Sequence, residues 1–337
     1  MTVSRSRILF RLYIILLILP CLEVALWILG FRPFRQVNYS IRSAPEGCLI
    51  ADSTLGFALQ PGAFDVTINE GLTYHAVHGN DSLRIAMYQK NHGPFVDSIY
   101  FTGCSFTYGM GVDDSLTFAF RAGELLPGSL VKNMGIPGFG TIQSYIQLKR
   151  LIAKGETPGK FVVGYAAFHN VRNALTPSYR RDLYMGYRRA DPSVGVLMQG
   201  ARIPFMVEGG NEIHFCRWED IYKNWPYREV FASVNYAQEL RDRYLENKTD
   251  TRAVTLHIFD LIGQLCLENH IRLIVAGISP DRDTRDMLKL LSSKGLETVD
   301  IAPDLTLEKY RNFPWDDHPG PLAHAWYAAR LAGYLSE

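Results

Sequence analysis

From position 97 onward, short apolar runs alternate with stretches whose apolar residues recur at helical spacing. Runs rich in β-branched and aromatic residues are typical of buried strands, and strands that alternate with amphipathic helices form parallel sheets. The pattern predicts an α/β fold, a three-layer α/β/α sandwich around a five-stranded parallel sheet. The predicted strands are 98–102, 129–133, 161–166, 272–277 and 297–301, and the predicted helices are 115–126, 141–154, 251–269, 283–293 and 322–335.

Residues 37–95 follow a different pattern, in which turn-forming sequences separate short apolar runs. Gly62 and Gly71 each precede such a run, at 63–68 and 72–77. Glycine-containing turns between short runs predict β-hairpins. A segment of this length buries little core on its own, so we expect a small β-rich lead-in that packs against the main domain.

The stretch 174–250 interrupts the alternation of strands and helices and is rich in Tyr, Arg and Trp. An insertion of this size beside the strand ends is more often a lid or a specificity element than a passive loop. Its aromatic residues suit stacking on sugar rings and the core of a lid equally well. The predicted organisation is therefore an N-terminal segment at 1–36, the lead-in at 37–95, and a main domain at 96–337 that contains this insertion.

The N-terminal segment is almost wholly apolar over the twenty residues 12–31, with arginines on both sides. A helix of that length rises about 30 Å, the thickness of the bilayer hydrocarbon. We therefore expect a single-pass transmembrane helix, although Pro20 and Glu23 lie within it. A cleaved signal peptide is the alternative, but no A-x-A site follows. The three arginines before the apolar run favour an N-terminus inside, with the rest of the chain periplasmic or extracytoplasmic.

The composition is that of a globular protein, with 47% hydrophobic and 20% charged residues. Because 35 basic and 34 acidic residues leave a net charge of +1, nucleic acid is not an expected partner. Neither the histidines nor the cysteines show a metal-ligand spacing, so we expect no metal ion and no cofactor. Cys48 and Cys216 could pair, but two unpaired cysteines are the favoured interpretation.

A nucleophile, a base and an orienting acid can be assigned to two distant segments. Ser105 follows the first predicted strand, at the carboxyl edge of the sheet where ligands of such folds bind. His318 lies in the loop before the last predicted helix, and Asp316 precedes it by two residues. A serine hydroxyl becomes a nucleophile when a base takes its proton and a third group holds that base in the right tautomer. Asp317 is the alternative orienting acid.

A tetrahedral intermediate needs hydrogen-bond donors that already point at its developing negative charge. The glycine-rich run 133–140 follows the second predicted strand, and glycine lets a bare backbone N–H group approach a ligand. We expect two such donors, the N–H groups of Ser105 and Gly138. A third donor is expected from the segment 168–173, which follows the third predicted strand.

Four ordered sequence blocks lie between about residue 97 and the C-terminal region. They are Gly103-Cys104-Ser105, Asn133-x-Gly135-x-x-Gly138, the His169-Asn170 segment and Asp316-x-His318. Together they resemble the SGNH (GDSL-type) hydrolase superfamily. The resemblance implies a flavodoxin-like fold and ester hydrolysis through a seryl acyl-enzyme, with Ser105 as the nucleophile, His318 as the base and Asp316 as the orienting acid.

The sequence departs from the family's pattern in three places. Cys104 stands where the family usually has Asp, and the spacing from acid to histidine is one residue shorter than in many members. The family's Gly-x-Asn-Asp block appears here as Ala-Phe-His-Asn at 167–170. Either Asn170 supplies the side-chain oxyanion donor, or His169 takes the place of the family's asparagine.

The expected function is that of a serine esterase, which removes a short acyl group, with acetyl favoured, from a carbohydrate or an envelope polysaccharide. A polysaccharide O-acetyltransferase would use the same residues, with a sugar hydroxyl in place of water as the acceptor. A non-catalytic module that binds polysaccharide or scaffolds an assembly is the alternative from another functional class. It is considered because the 167–170 block departs from the family's pattern. Protein partners are not indicated by the sequence.

Overall fold

The computed structural model describes residues 5–35, 39–86, 95–190 and 198–336. The chain divides into two compact units, of which the larger comprises Tyr39–Ile221 and Thr249–Glu337, and the smaller Met1–Asn38 and Tyr222–Lys248. Parts of the predicted N-terminal segment (1–4 and 36), of the lead-in (37–38 and 87–94) and of the insertion (191–197) lie outside the described residues.

The strands are numbered in chain order. They are β1 Ile41–Ala44, β2 Leu49–Asp52, β3 Gly56–Leu59, β4 Gly62–Ile68, β5 Leu72–His78, β6 Asp97–Thr102, β7 Ser129–Asn133, β8 Lys160–Tyr165, β9 Arg202–Phe205, β10 His214–Arg217, β11 Arg272–Gly277 and β12 Glu297–Asp300. The α-helices are Arg5–Ile28, Ser105–Tyr108, Phe118–Leu125, Thr141–Ala153, His169–Asn173, Pro177–Ala190, Ala232–Glu246, Thr251–Glu268, Arg282–Ser293 and Pro321–Ser336.

Five strands of the larger unit form an all-parallel sheet in the order β12-β11-β8-β6-β7. The predicted α/β fold with a five-stranded parallel sheet is confirmed, and each predicted strand agrees with the structure to within one residue at either end. The chain moves outward from β6 to β7 and then returns to β8 on the other side of β6. In an open parallel sheet, ligands bind at the carboxyl ends of the two strands where the order reverses, here β6 and β8.

Helices cover both faces of this sheet. Neighbouring residues of a strand point to opposite faces, so one strand contacts both helical layers. Phe101 of β6 lies in the apolar core on one face, where its ring centroid is 5.4 Å from that of Phe118. Thr102, the next residue, is buried on the other face and donates a hydrogen bond of 3.0 Å to Ser144 in the helix Thr141–Ala153. The sheet therefore lies between two helical layers.

The lead-in forms β-structure, as predicted, and it contacts the main domain. β1, β4 and β5 form an antiparallel sheet, and β2 pairs with β3. Arg84, after β5, makes isolated bridges to His78 and to Asn133 at the end of β7. A second contact involves Trp315, whose backbone oxygen accepts a 2.8 Å hydrogen bond from the Asn69 side chain. The lead-in thus reaches both the edge of the central sheet and the loop that precedes the last helix.

The described part of the predicted insertion contains regular structure. The helix Pro177–Ala190 follows β8 and the short helix His169–Asn173. β9 and β10 form an antiparallel pair on either side of the turn at 208–211. The helix Ala232–Glu246 belongs to the smaller unit, together with the N-terminal helix.

The prediction of a single-pass membrane protein is wrong. Among the residues that the structure describes, no helix has both the length and the apolar character needed to cross a membrane. The apolar segment does form the helix Arg5–Ile28, with Pro20 inside it. Its Glu23 carboxylate accepts hydrogen bonds from the N–H groups of Ala232 and Ser233, at the start of the helix Ala232–Glu246. Glu23 therefore serves as a helix cap. The predicted periplasmic or extracytoplasmic location depended on the membrane anchor and is not supported.

Candidate active site

Ser105 begins a short helix immediately after β6, and its side chain is 5% exposed. The turn that presents it is tight: its carbonyl oxygen accepts hydrogen bonds from Gly109 N and Met110 N at 2.9 and 3.0 Å. Gly103 has φ of +149°, and a Cβ atom there would lie 2.4 Å from the Thr107 hydroxyl oxygen. Only glycine fits at that position, so the backbone bends sharply enough to place the Ser105 hydroxyl at the carboxyl edge of the sheet.

The structure brings Ser105, His318 and Asp316 together in one hydrogen-bonded row. His318 Nε2 lies 2.9 Å from Ser105 Oγ, and His318 Nδ1 lies 2.7 Å from Asp316 Oδ2. Asp316 is 9% exposed, whereas Asp317 is exposed and pairs with Arg311. Of the two acids considered from the sequence, Asp316 is therefore the one in contact with the imidazole.

Backbone hydrogen bonds fix the loop that carries the acid and the base. Asn312 N donates to His318 O at 2.9 Å, and Asp316 N donates to Asn312 O at 3.0 Å. At the end of the loop, Gly320 N donates to Tyr310 O at 2.8 Å. These bonds hold Asp316 and His318 in a fixed turn, which explains how two residues at this spacing point at each other outside a helix.

Tyr39 of the lead-in is a fourth member of the row. Its hydroxyl donates a 3.0 Å hydrogen bond to Asp316 Oδ1, the oxygen that does not face His318. Burial and the charge of Asp316 raise the pKa of Tyr39, so the phenol remains a donor. Burial opposes ionisation of Asp316, but hydrogen bonds from His318 and Tyr39 outweigh it, and the pKa of Asp316 lies below its ordinary value.

The lead-in also supports the helix that begins with Ser105. Arg84 is fully buried, pairs with Asp114 at 2.7 Å, and donates to the carbonyl oxygens of Tyr108 and Gly109 at 3.1 and 2.6 Å. A cation at the carboxyl end of a helix satisfies carbonyl groups that have no partner within the helix. The Tyr108 hydroxyl lies 2.9 Å from His78 Nε2, and burial lowers the pKa of His78 to about 4, so this imidazole is neutral near pH 7.

The loop after β7 passes close to the Ser105 turn. Ile136 N donates to Gly103 O at 3.1 Å, and a Cβ atom on Gly135 would lie 2.5 Å from Tyr108 N. Gly138 has φ of +85°, in the left-handed region that favours glycine. In the part of the chain that the structure describes, the N–H groups of Ser105 and Gly138 donate to no protein acceptor. Both N–H groups therefore remain candidate donors to a ligand oxygen.

Two side chains hold the backbone of this loop. The Tyr179 hydroxyl donates to Gly138 O, and Arg172 Nη1 donates to Phe139 O at 2.8 Å. Asn173 continues the contact, because its Oδ1 accepts a 3.0 Å hydrogen bond from Ile142 N. The segment after β8 thus fixes the two peptide groups that follow the candidate oxyanion donor.

His169 and Asn170, the two candidates for a third donor, lie next to each other after β8. His169 is fully buried, its Nδ1 is 3.5 Å from the Thr141 hydroxyl, and its Nε2 has no partner within the described residues. Burial, with a smaller effect of Arg172, lowers the pKa of His169 well below its ordinary value, so the ring is neutral. The Asn170 amide oxygen accepts a 2.9 Å hydrogen bond from the Tyr165 hydroxyl. Among the described residues, neither side chain is hydrogen-bonded to Ser105 or Gly138.

Two residues beside the row were not predicted. Tyr39 carries no sequence signal, because it lies 277 positions from Asp316 in a segment without a motif. Arg172 falls inside the segment from which a donor was expected, but the sequence assigns no partner to its guanidinium. Its contact with the Gly138 loop depends on the reversal of strand order at β6 and β8, which only the tertiary fold reveals.

Solved structures with low sequence identity are similar to this chain. A member of the lipolytic protein G-D-S-L family from Veillonella parvula DSM 2008 is 8% identical, with a TM-score of 0.40 over 71% of this chain and 98% of that one. LAE5, an α/β hydrolase enzyme from the metagenome of Lake Arreo, is 11% identical, with a TM-score of 0.38 over 72% and 97%. A family two carbohydrate esterase from Clostridium thermocellum is 10% identical, with a TM-score of 0.32 over 72% and 64%.

No protein-family model matches the sequence, and no curated protein matches it. The G-D-S-L family found among the similar structures is the family that the four sequence blocks resemble. At this distance the similarity transfers no activity, substrate or residue role. The chemistry of this chain follows from its own side chains.

Proposed function

We propose that this protein is a serine esterase that removes a short acyl group from a carbohydrate, with acetyl as the favoured group. Ser105 is the nucleophile, His318 the general base and Asp316 the orienting acid. The observation that carries the proposal is the unbroken row from Ser105 Oγ to His318 Nε2 at 2.9 Å and from His318 Nδ1 to Asp316 Oδ2 at 2.7 Å. The family resemblance of the sequence fixes no substrate by itself, and the carbohydrate class is proposed from it together with the aromatic residues of the 174–250 insertion, which suit stacking on sugar rings.

In the first half-reaction, Ser105 Oγ attacks the ester carbonyl carbon while His318 Nε2 takes the hydroxyl proton. Negative charge develops on the carbonyl oxygen, and the N–H groups of Ser105 and Gly138 donate to it. The tetrahedral intermediate collapses, the bond to the sugar oxygen breaks, and the leaving alkoxide receives the proton from His318. The products of this step are the free sugar hydroxyl and an acyl group on Ser105.

In the second half-reaction, water takes the place of the sugar hydroxyl. His318 removes a proton from the water as its oxygen attacks the acyl carbon, and the proton then returns to Ser105 Oγ as the acid is released. Asp316 holds the imidazole in the tautomer with the proton on Nδ1, and its negative charge stabilises the imidazolium that forms in each half-reaction. Because Asp316 is buried and its pKa is low, it stays ionised throughout.

The test compares the purified protein with Ser105→Ala on 4-nitrophenyl acetate, with released nitrophenolate measured by absorbance. The matched control is Ser292→Ala, which removes an exposed hydroxyl from the helix Arg282–Ser293. We expect Ser105→Ala to lose at least about a thousandfold in kcat, because the serine and its base act as a unit. The control should keep the wild-type rate. Equal rates for Ser105→Ala and the wild type would overturn the proposal.

Two further measurements identify the nucleophile and separate hydrolysis from acyl transfer. A fluorophosphonate probe should label Ser105, and mass spectrometry should locate the adduct on the peptide that contains it. The protein is then incubated with an acetylated oligosaccharide, with and without an unacetylated sugar acceptor. Release of acetate at the same rate in both reactions supports an esterase. Acetylation of the acceptor would instead identify a transferase, in which a sugar hydroxyl takes the place of water in the second half-reaction.

A further inference from the structure

A continuous row of rings leads from the imidazole of His318 to the guanidinium of Arg172. The His318 and Phe106 ring centroids are 5.6 Å apart, and those of Phe106 and Phe168 are 5.5 Å apart, both edge to face. Arg172 Cζ lies 4.4 Å from the Phe168 centroid. The base of the proposed triad is therefore connected to a positive charge by an aromatic surface, a surface that suits the faces of sugar rings.

Arg172 has no acidic partner in the part of the chain that the structure describes. Its Nη1 atom donates to Phe139 O at 2.8 Å, and its guanidinium also lies over the Tyr179 ring, with Cζ 5.6 Å from the centroid. Other arginines near the sheet are neutralised: Arg84 pairs with Asp114, and Arg150 pairs with Asp52. Within the described residues, Arg172 thus has no counter-ion, and its guanidinium lies beside the loop that contains Gly138.

The charge of Arg172 also reaches the residues on either side of the crevice. It favours the thiolate of Cys104, although burial, the larger effect, raises the pKa of that thiol. It likewise adds to the effect of burial in lowering the pKa of His169. Cys104 directly precedes Ser105, and His169 follows β8. By its own contacts, Arg172 lies in the helix that follows β8 and bonds the loop that follows β7 through Phe139 O.

The Arg172 guanidinium is partly exposed and has no carboxylate beside it among the described residues, so a ligand can supply the opposite charge. Stacking on Phe168 and Tyr179 fixes the plane of the guanidinium but does not neutralise it. The planar fork of arginine matches a carboxylate through two parallel hydrogen bonds. We propose that Arg172 binds a carboxylate of the substrate, so that the esters cleaved at Ser105 are carried by acidic, uronate-type carbohydrates. This inference rests on the proposed esterase function.

The test uses two acetylated substrates that differ in charge alone: an O-acetylated oligogalacturonate and the same oligomer with its carboxyl groups reduced to primary alcohols. Because Arg172 also contacts the Gly138 loop, the measured quantity is the ratio of kcat/KM for the acidic substrate to that for the neutral one. We expect Arg172→Gln to lower this ratio about tenfold or more, equivalent to about 1.4 kcal/mol, and Arg172→Lys to retain part of it. Arg330→Gln, which removes an exposed charge from the last helix, should leave the ratio unchanged.

An equal loss on both substrates would mean that Arg172 only supports the loop, and it would overturn the inference, as would an unchanged ratio. If Arg172→Gln fails to fold, the wild type still decides. Raising the salt concentration should increase KM for the acidic substrate selectively, and a wild-type enzyme that prefers the neutral oligomer would refute carboxylate binding. Failure of the esterase proposal is distinct, because Ser105→Ala would then retain turnover of both substrates.

Discussion

Replacing Tyr39 by Phe removes one hydrogen bond and leaves the aromatic ring in place. The Tyr39 hydroxyl is 3.0 Å from Asp316 Oδ1, and His318 occupies the other carboxylate oxygen at 2.7 Å. Tyr39 does not contact Ser105 or the glycine loop. The substitution therefore changes the orientation and the charge of the acid, while the nucleophile and the oxyanion donors keep their positions.

The size of the effect follows from the chemistry of that bond. A hydrogen bond to a charged group contributes about 1.5–3 kcal/mol, and about 1.4 kcal/mol in a barrier corresponds to a tenfold change in rate. If Asp316 works through the imidazolium of the transition state, the loss falls on kcat, and we expect a decrease of roughly ten- to a hundredfold. KM should stay within about twofold of the wild type, because Tyr39 lies behind the acid, away from the substrate.

The same substitution has a predicted pH dependence. In the folded protein the pKa of Asp316 is below its ordinary value. Ionised Asp316 therefore stabilises the fold at pH values above its unfolded-state pKa. This stabilisation is lost as the pH falls through the folded-state pKa. Without the Tyr39 donor, the folded-state pKa of Asp316 rises. Tyr39→Phe should therefore be less stable than the wild type near neutral pH. It should also lose less stability on acidification, and the loss linked to Asp316 should end at a higher pH than in the wild type.

The assay is steady-state hydrolysis of 4-nitrophenyl acetate, combined with thermal melting at a series of pH values. Tyr244→Phe is the control, since Tyr244 is 61% exposed. A Tyr39→Phe variant with wild-type kcat would show that the loop alone orients Asp316. A rise in KM with unchanged kcat would place Tyr39 in substrate binding and would contradict the role assigned here.

Two further substitutions test the support of the Ser105 helix. Arg84→Met leaves Asp114 as an uncompensated buried charge, and urea unfolding should show a loss of about 3–5 kcal/mol; a loss below about 1 kcal/mol would mean that the carboxylate finds another partner. Gly135→Ala places a Cβ atom 2.5 Å from Tyr108 N, so the Ser105 helix should be displaced, and both kcat and the free energy of unfolding should fall. The control is Gly333→Ala, because a Cβ atom there meets nothing within 4 Å. The control should leave the free energy of unfolding unchanged or raise it by roughly 0.5–1 kcal/mol. Wild-type kinetics in Gly135→Ala would show that the loop and the helix move independently.

Much of the central fold could be predicted from the sequence because its signals are local. Buried parallel strands are continuous apolar runs, and the helices between them show a regular apolar spacing, so period and length identify both. The helix predicted at 115–126 begins later, at Phe118, because the chain first makes a 3-10 turn at Asp114–Leu116. Asp114 turns toward Arg84, a tertiary contact that no local pattern contains.

The candidate site likewise contains residues with a local sequence signal and residues defined by tertiary contacts alone. Ser105, Asp316 and His318 were found because each lies in a short motif whose residue types suit one chemistry. Tyr39 and Arg172 were not assigned these partners, since their importance depends on which distant atoms they meet. The transmembrane prediction at the N-terminal segment was wrong because, among the described residues, no helix is both long and apolar enough to cross a membrane. The contact of Glu23 with the start of another helix is a tertiary feature that the sequence does not show.

The order in which the row is assembled along the chain has a consequence for biosynthesis. Tyr39 and Ser105 are translated early, but His318 lies 213 positions after Ser105, beyond the last strand of the sheet. During elongation, the sheet can form on the ribosome while the serine still lacks its imidazole. Under the proposed mechanism, a nascent chain that stops short of His318 carries Ser105 without its base, and acyl chemistry requires the loop of Asp316 and His318, together with the helix Pro321–Ser336 that packs into the core.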